Sequence, residues 1–187
     1  MKLLQLLPIG DIDLRALERV GPLIAQQFHV PWDILQPRLD PQFAYHAERR
    51  QFHSSELLAR MHNYLGPECW RMLGVTADDL YIPILTFVFG EAQMAGPAAV
   101  VSTHRLRQNF YGLPADEDLE RDRLLKEAVH ELGHTLDLRH CADYRCAMAA
   151  SHAVEWIDLK ESGLCPDCSE RTSPLLPVRK SARFRFF

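Results

Sequence analysis

The chain has 187 residues, 47% hydrophobic and 25% charged, with a formal net charge of −4. That length suits one domain burying roughly 70% of its unfolded surface. The mild acidity argues against nucleic acid as a partner, because phosphate binding needs a clustered positive field, and no apolar run approaches the roughly 20 residues of a membrane span.

Leu3 to Ile9 reads as a first strand rather than a leader, since acids follow at once and no small-residue cleavage site appears. The chain is expected to be cytoplasmic and monomeric, with no membrane or nucleic-acid partner. Apolar residues at 14, 17, 20, 24 and 28 form a helical stripe that Gly21-Pro22 should kink or split. Pro31 to Pro37 reads as a connection, and Phe43 to Phe52 as a strand. Ser54 or Ser55 is placed to cap a helix through about Tyr64. Cys69, beside Trp70, reads as a small buried hydrophobe.

Leu80 to Gln93 and Ala98 to Leu106 are rich in β-branched and aromatic residues, with Gly96-Pro97 between them. They read as adjacent strands, the first of them central. A helix is expected from about Leu119, and a short one within Ser151 to Gly163. The whole reads as an α/β (α+β) body in a single domain, 1–187. Its N-terminal subdomain covers about 1–136 and a small cysteine-rich C-terminal subdomain about 137–187. The basic tail after Ser169 reads as solvated or docked on the surface.

The chemistry concentrates between His130 and Met148. His130 and His134, four apart on a helix, project from one face and can share a Zn²⁺. Glu131, rotated by about 100°, can act as a base toward a metal-activated water, the HExxH arrangement. Leu124, Leu125, Ala128, Leu132 and Leu136 give that helix a buried face. His140 would lie about 240° from His134 on an unbroken helix, so it reaches the metal only if the chain turns back. Asp137 stands at the turn, where a left-handed backbone costs an aspartate on the order of 1 kcal/mol. A rival arrangement continues the helix, makes Asp137 the third ligand and leaves His140 a bystander.

Cys141-x4-Cys146 and Cys165-x2-Cys168 are two close pairs suited to a tetrahedral structural zinc. The alternative is buried free thiols, or a redox dithiol at Cys165 and Cys168. A metal at the four cysteines would pin the C-terminal part against the helix end and hold His140 in place, giving two Zn²⁺ per chain.

Together these motifs resemble the archaemetzincins, a branch of the metzincin clan of zinc peptidases. The family pattern is HExxHxxGxxH, then Cys-x4-Cys-x-Met, then Cys-x-x-Cys. This chain matches it from His130 to Cys168, with Asp137 in place of the glycine. The likeness continues upstream through RRQFHSSELL, LGVTADDLYIPILTFVFGEAQ and AAVVSTHRL. The resemblance implies a metzincin-like mixed twisted sheet with a long active-site helix. It makes His130, His134 and His140 the catalytic zinc ligands and Glu131 the general base of peptide-bond hydrolysis. Met148, core filler on its own chemistry, becomes the methionine of a turn beneath the metal. Ala98 to Thr103 becomes an edge strand that pairs with an extended peptide substrate. Tyr144 and His104 are the chemical candidates for a second electrophile, although a structural role suits each better. A zinc-stabilised peptide-binding protein is the alternative function, and the net charge disfavours a zinc-ribbon nucleic-acid binder.

Overall fold

The computed structural model describes residues 2–177, so residues 178–187 of the basic tail lie outside the described residues. The main sheet has five strands in the order β2-β1-β5-β8-β7, where β1 is Leu3–Ile9, β2 Trp32–Ile34, β5 Cys69–Thr76, β7 Gly90–Ala92 and β8 Ala98–Ser102. The first four of these are parallel, and β7 closes one side antiparallel to β8. A second sheet joins three short strands, β3 (Tyr45–His46), β4 (Gln51–His53) and β6 (Leu80–Tyr81).

Alternation along β1 shows how the strands are covered. Leu4 and Leu6 face one core, where α1 (Leu14–Phe28) and α3 (Glu117–Thr135) pack, while Leu7 and Ile9 face the other, filled by Leu57, Leu58 and Met61 of α2 (Ser54–Met61). Both faces are buried, as expected for parallel strands. Two short helices, α4 (Val154–Leu159) and α5 (Pro166–Thr172), complete the described chain. A small separate core of Leu138, Cys146, Met148 and Cys168 lies in that last part.

Several expectations from the sequence are corrected. Helix α1 is not split: it runs unbroken through Pro22, and Gly21 lets the Trp32 ring come so close that a Cβ would lie 2.3 Å from it. The Pro31–Pro37 connection contains β2, whose three residues pair with Leu4 to Leu6. Phe43 to Phe52 is a hairpin of two short strands rather than one strand. Ser54 and Ser55 do not cap α2. The Ser54 hydroxyl donates to the Tyr81 carbonyl, and both hydroxyls donate to the Glu91 carboxylate.

The central strand is β5, between β1 and β8, and not the Leu80–Gln93 segment. That segment instead supplies β6 and β7, separated by a loop in which Pro83 has no N–H to give a ladder and Ile84 is 85% exposed. Ala98 to Thr103 is consequently not an edge. β8 is paired on both sides, and the two edges of the main sheet are β7, beside β8, and β2. No described helix is long and apolar enough to cross a membrane.

Candidate active site and metal centres

Helix α3 is started by the Asp116 carboxylate, which accepts from the Asp118 and Leu119 N–H groups, and by acids in its first turn that suit the helix dipole. Leu124, Leu125, Ala128, Val129 and Leu132 anchor it in the main core. This carries His130, Glu131 and His134 to one side of β7. The helix ends in a Schellman turn: Leu138 N–H donates to the Gly133 carbonyl at 3.1 Å and Asp137 N–H to that of His134 at 3.0 Å. Asp137 occupies the left-handed position, with φ 63°.

The turn returns the chain, so that His140 joins His130 and His134. Ring centroids are 4.6 Å apart for His130 and His134, and 5.2 Å from each of these to His140. One ligand nitrogen from each ring lies within 4.8 Å of the others. Asp137 is exposed and outside this group, so the rival ligand set is not assembled.

The hydrogen bonding leaves the facing nitrogens free for a cation. His130 Nδ1 donates to the Ala147 carbonyl at 2.8 Å, and His134 Nδ1 donates to the Leu138 carbonyl at 2.7 Å. A neutral ring that donates from Nδ1 has a lone pair on Nε2. The two Nε2 atoms face each other at 3.1 Å, an arrangement that repels unless a cation lies between them. Two nitrogens on one tetrahedral zinc stand roughly 3.4 Å apart, so the residues fit the ion. Burial, the leading cause for each, lowers the pKa of all three rings and favours the neutral form that ligates.

Glu131 is buried beside them. Its pKa is held well above the ordinary carboxylate range, first by burial and then by the neighbouring Glu127 carboxylate. Space for it comes from Gly90 on the edge strand, where a Cβ would lie 2.6 Å from Glu131 Cγ. A cleft of about 470 Å³ opens here between the Ile82–Met94 segment, the three histidines with Glu131, and Ala150 to His152.

The four cysteines form the second cluster. Their sulfurs lie within 4.8 Å of one another, Cys141 Sγ and Cys165 Sγ at 3.8 Å, and none forms a disulfide. Sulfurs on one tetrahedral zinc stand roughly 3.8 Å apart, so this group also fits a metal. Cys146 Sγ accepts N–H groups from Met148 and Cys165, a pattern that favours thiolate. Cys165 is lowered by the backbone N–H of Cys168, whereas burial pushes Cys146 and Cys168 up, so a full set of thiolates needs a cation.

The two clusters meet at His140-Cys141, where Cys141 N–H donates to the Met148 carbonyl at 2.9 Å. Met148 is fully buried against Gly133. Tyr144, 67% exposed, and His104, whose ring is spent on the Ala77 carbonyl and Phe110, do not line the cleft. Sequence reasoning missed the buried pair of Lys160 and Glu127, at 3.1 Å, in which Lys160 also donates to the Ala147 carbonyl that orients His130. Nothing in the sequence links residues 33 apart. Gly133 and Gly90 did carry a signal: a glycine inside a helix or strand marks a close approach.

Residues 44–173 match the model of peptidase family M54. The archaemetzincin of Methanocaldococcus jannaschii is 39% identical over 165 residues, covering 88% of this chain and 89% of the relative. The crystal structure of archaemetzincin from Archaeoglobus fulgidus, complexed with malonate, superposes with a TM-score of 0.78 at 36% identity over 91% of this chain and 99% of that one. A zinc-dependent peptidase from Methanocorpusculum labreanum superposes at 0.82, with 26% identity over 90% and 99%. The chain thus belongs to peptidase family M54, the archaemetzincins, and is a zinc metallopeptidase.

Proposed function

We propose that His130, His134 and His140 hold the catalytic zinc and that Glu131 is the general base for hydrolysis of a peptide bond. The carrying observation is the buried Glu131 carboxylate in the cleft beside three imidazoles whose free nitrogens converge. Zinc, when bound, lowers the pKa of coordinated water toward about 7 and polarises the substrate carbonyl. Glu131, raised in proton affinity by burial, takes the proton and returns it to the departing amine. The Ala147 and Leu138 carbonyls fix the rings of His130 and His134 during this exchange.

Cys141, Cys146, Cys165 and Cys168 hold a second, structural zinc in this reading, giving two ions per chain. That metal staples a C-terminal part of about 137–187 onto the rest of a single domain, and Met148 supports the catalytic site from below. Free thiols in such a cluster suit a reducing, cytoplasmic setting. The chain acts as a monomer.

The substrate lies as an added strand along β7. Phe89 and Gln93 bond to β8, so the pleat turns the backbone groups of Gly90 and Ala92 to the free edge. Cleavage of a peptide library by the zinc-loaded wild type, absent in Glu131→Ala with the same zinc content, is the expected result. Matching cleavage by both proteins contradicts the assignment of Glu131.

A further inference from the structure

We propose that His152 is a further catalytic residue, whose imidazole N–H donates a hydrogen bond to the substrate carbonyl oxygen as that atom gains negative charge. Addition of water to an amide builds charge on this oxygen, and one preorganised donor there is worth roughly 10²–10³ in rate. His152 lines the cleft together with the three histidines and Glu131. His140 is among the residues that share this lining with it.

The other polar groups in and around the cleft are committed elsewhere. Lys160 is buried on Glu127 and the Ala147 carbonyl. Arg49 is held by the Leu85 and Thr86 carbonyls. Glu131 is taken as the base, and the Glu91 carboxylate accepts from the Ser54 and Ser55 hydroxyls. Among the described cleft-lining side chains this leaves the hydroxyls of Thr86 and Ser151, and the ring of His152, as donors.

His152 is also well placed to be held in readiness. It follows Met148 by four residues, on a segment tied down by Ala149 N–H to Cys146 and by Trp156 N–H to Ala153. Its ring packs edge-on against Trp156 at 5.5 Å, while the residue itself stays exposed to the cleft. The neighbouring Ser151 hydroxyl is buried with no partner among the described residues. The bond is donated without transfer: the proton stays on His152, and Glu131 alone exchanges protons with the reacting atoms.

The proposal rests on the reading of Glu131 as base, and the test separates the two. His152→Ala, His152→Gln, Ser151→Ala and Glu131→Gln are compared with wild type after zinc loading, with zinc content measured for each. In His152→Ala, kcat is expected to fall about 10²-fold with KM changed less than threefold, and His152→Gln, which keeps an N–H donor, to recover part of the loss. Calorimetry supplies a second readout. His152→Ala should weaken a phosphinic peptide, which mimics the charged tetrahedral state, about 10²-fold and the corresponding product peptide less than threefold. Unchanged kcat in His152→Ala, equal weakening of both ligands, or a loss carried by Ser151→Ala instead overturns the proposal. Cleavage by Glu131→Gln at the wild-type rate defeats the assignment of the base and not that of His152.

Discussion

Gly133 and Met148 are fitted to one another: a Cβ on Gly133 would stand 2.3 Å from Met148 Sδ. The glycine lies one residue before His134 on the active-site helix, and the methionine one residue after the carbonyl that orients His130. The absence of a side chain at 133 thus lets the cysteine-bearing segment close under the histidines.

Gly133→Ala is expected to destabilise the protein despite the better helix propensity of alanine. Propensity favours alanine by about 1 kcal/mol, whereas overpacking a filled core costs about 1–3 kcal/mol, and a 2.3 Å approach belongs at the upper end. The net loss should be about 2 kcal/mol in urea denaturation of the zinc-loaded protein. A more stable variant would show that Met148 moves aside freely.

Asp137 turns the chain without ligating, so metal content should follow His140 and not Asp137. Elemental analysis should give two zinc ions for wild type and for Asp137→Ala, and one each for His140→Ala and Cys165→Ser. Asp137→Gly should gain about 1 kcal/mol by relieving the left-handed backbone at φ 63°. Loss of a metal in Asp137→Ala alone would restore the continued-helix arrangement.

Lys160 and Glu127 are buried to 1% and 3% side-chain exposure, so removing one partner strands a charge. Lys160→Met should cost about 3–5 kcal/mol, and the double variant with Glu127→Leu should cost much less than the sum of the singles. Because Lys160 also supports the Ala147 carbonyl, the single variant should bind zinc more weakly as well. Additive losses in the double-mutant cycle would mean that the two groups act independently.

The metal-free protein should reveal two opposing titrations. The histidines, depressed below 6.5, contribute stability that is present above that value and lost as pH falls toward their folded values. Glu131, raised above 4.5, works the other way: its folded form takes up a proton first, so it adds stability as pH falls through its folded value. Removing that term in Glu131→Gln should steepen the acid loss of metal-free stability as pH falls below 6.5 toward 4.5, by up to about 1.4 kcal/mol per pH unit for one proton. Parallel stability curves for the two metal-free proteins would contradict the raised proton affinity of Glu131.

The sequence by itself determined the chemistry that is local along the chain. His130, Glu131 and His134 are placed by helical spacing, and the Cys141/Cys146 and Cys165/Cys168 pairs by short loops, so covalent geometry carries most of the positioning. It also made Leu3 to Ile9 a strand and the residues from about Leu119 a helix, because those runs are long and strongly patterned. Tertiary packing decided the rest. Asp137 could turn or ligate by local rules alone, and the choice fell to the turn that lets Leu138 supply its carbonyl to His134 and enter the small core with Met148. The edge passed from Ala98–Thr103 to Gly90–Ala92 because strand order depends on which strands meet across the sheet, and β5, central and apolar on both faces, shows no alternation to mark it. Lys160, bonded to Glu127 and to the Ala147 carbonyl that orients His130, and His152, which lines one cleft with Glu131, join segments far apart in the chain. Spacing sets no geometry over such separations, and only closure of the cores brings those residues into reach.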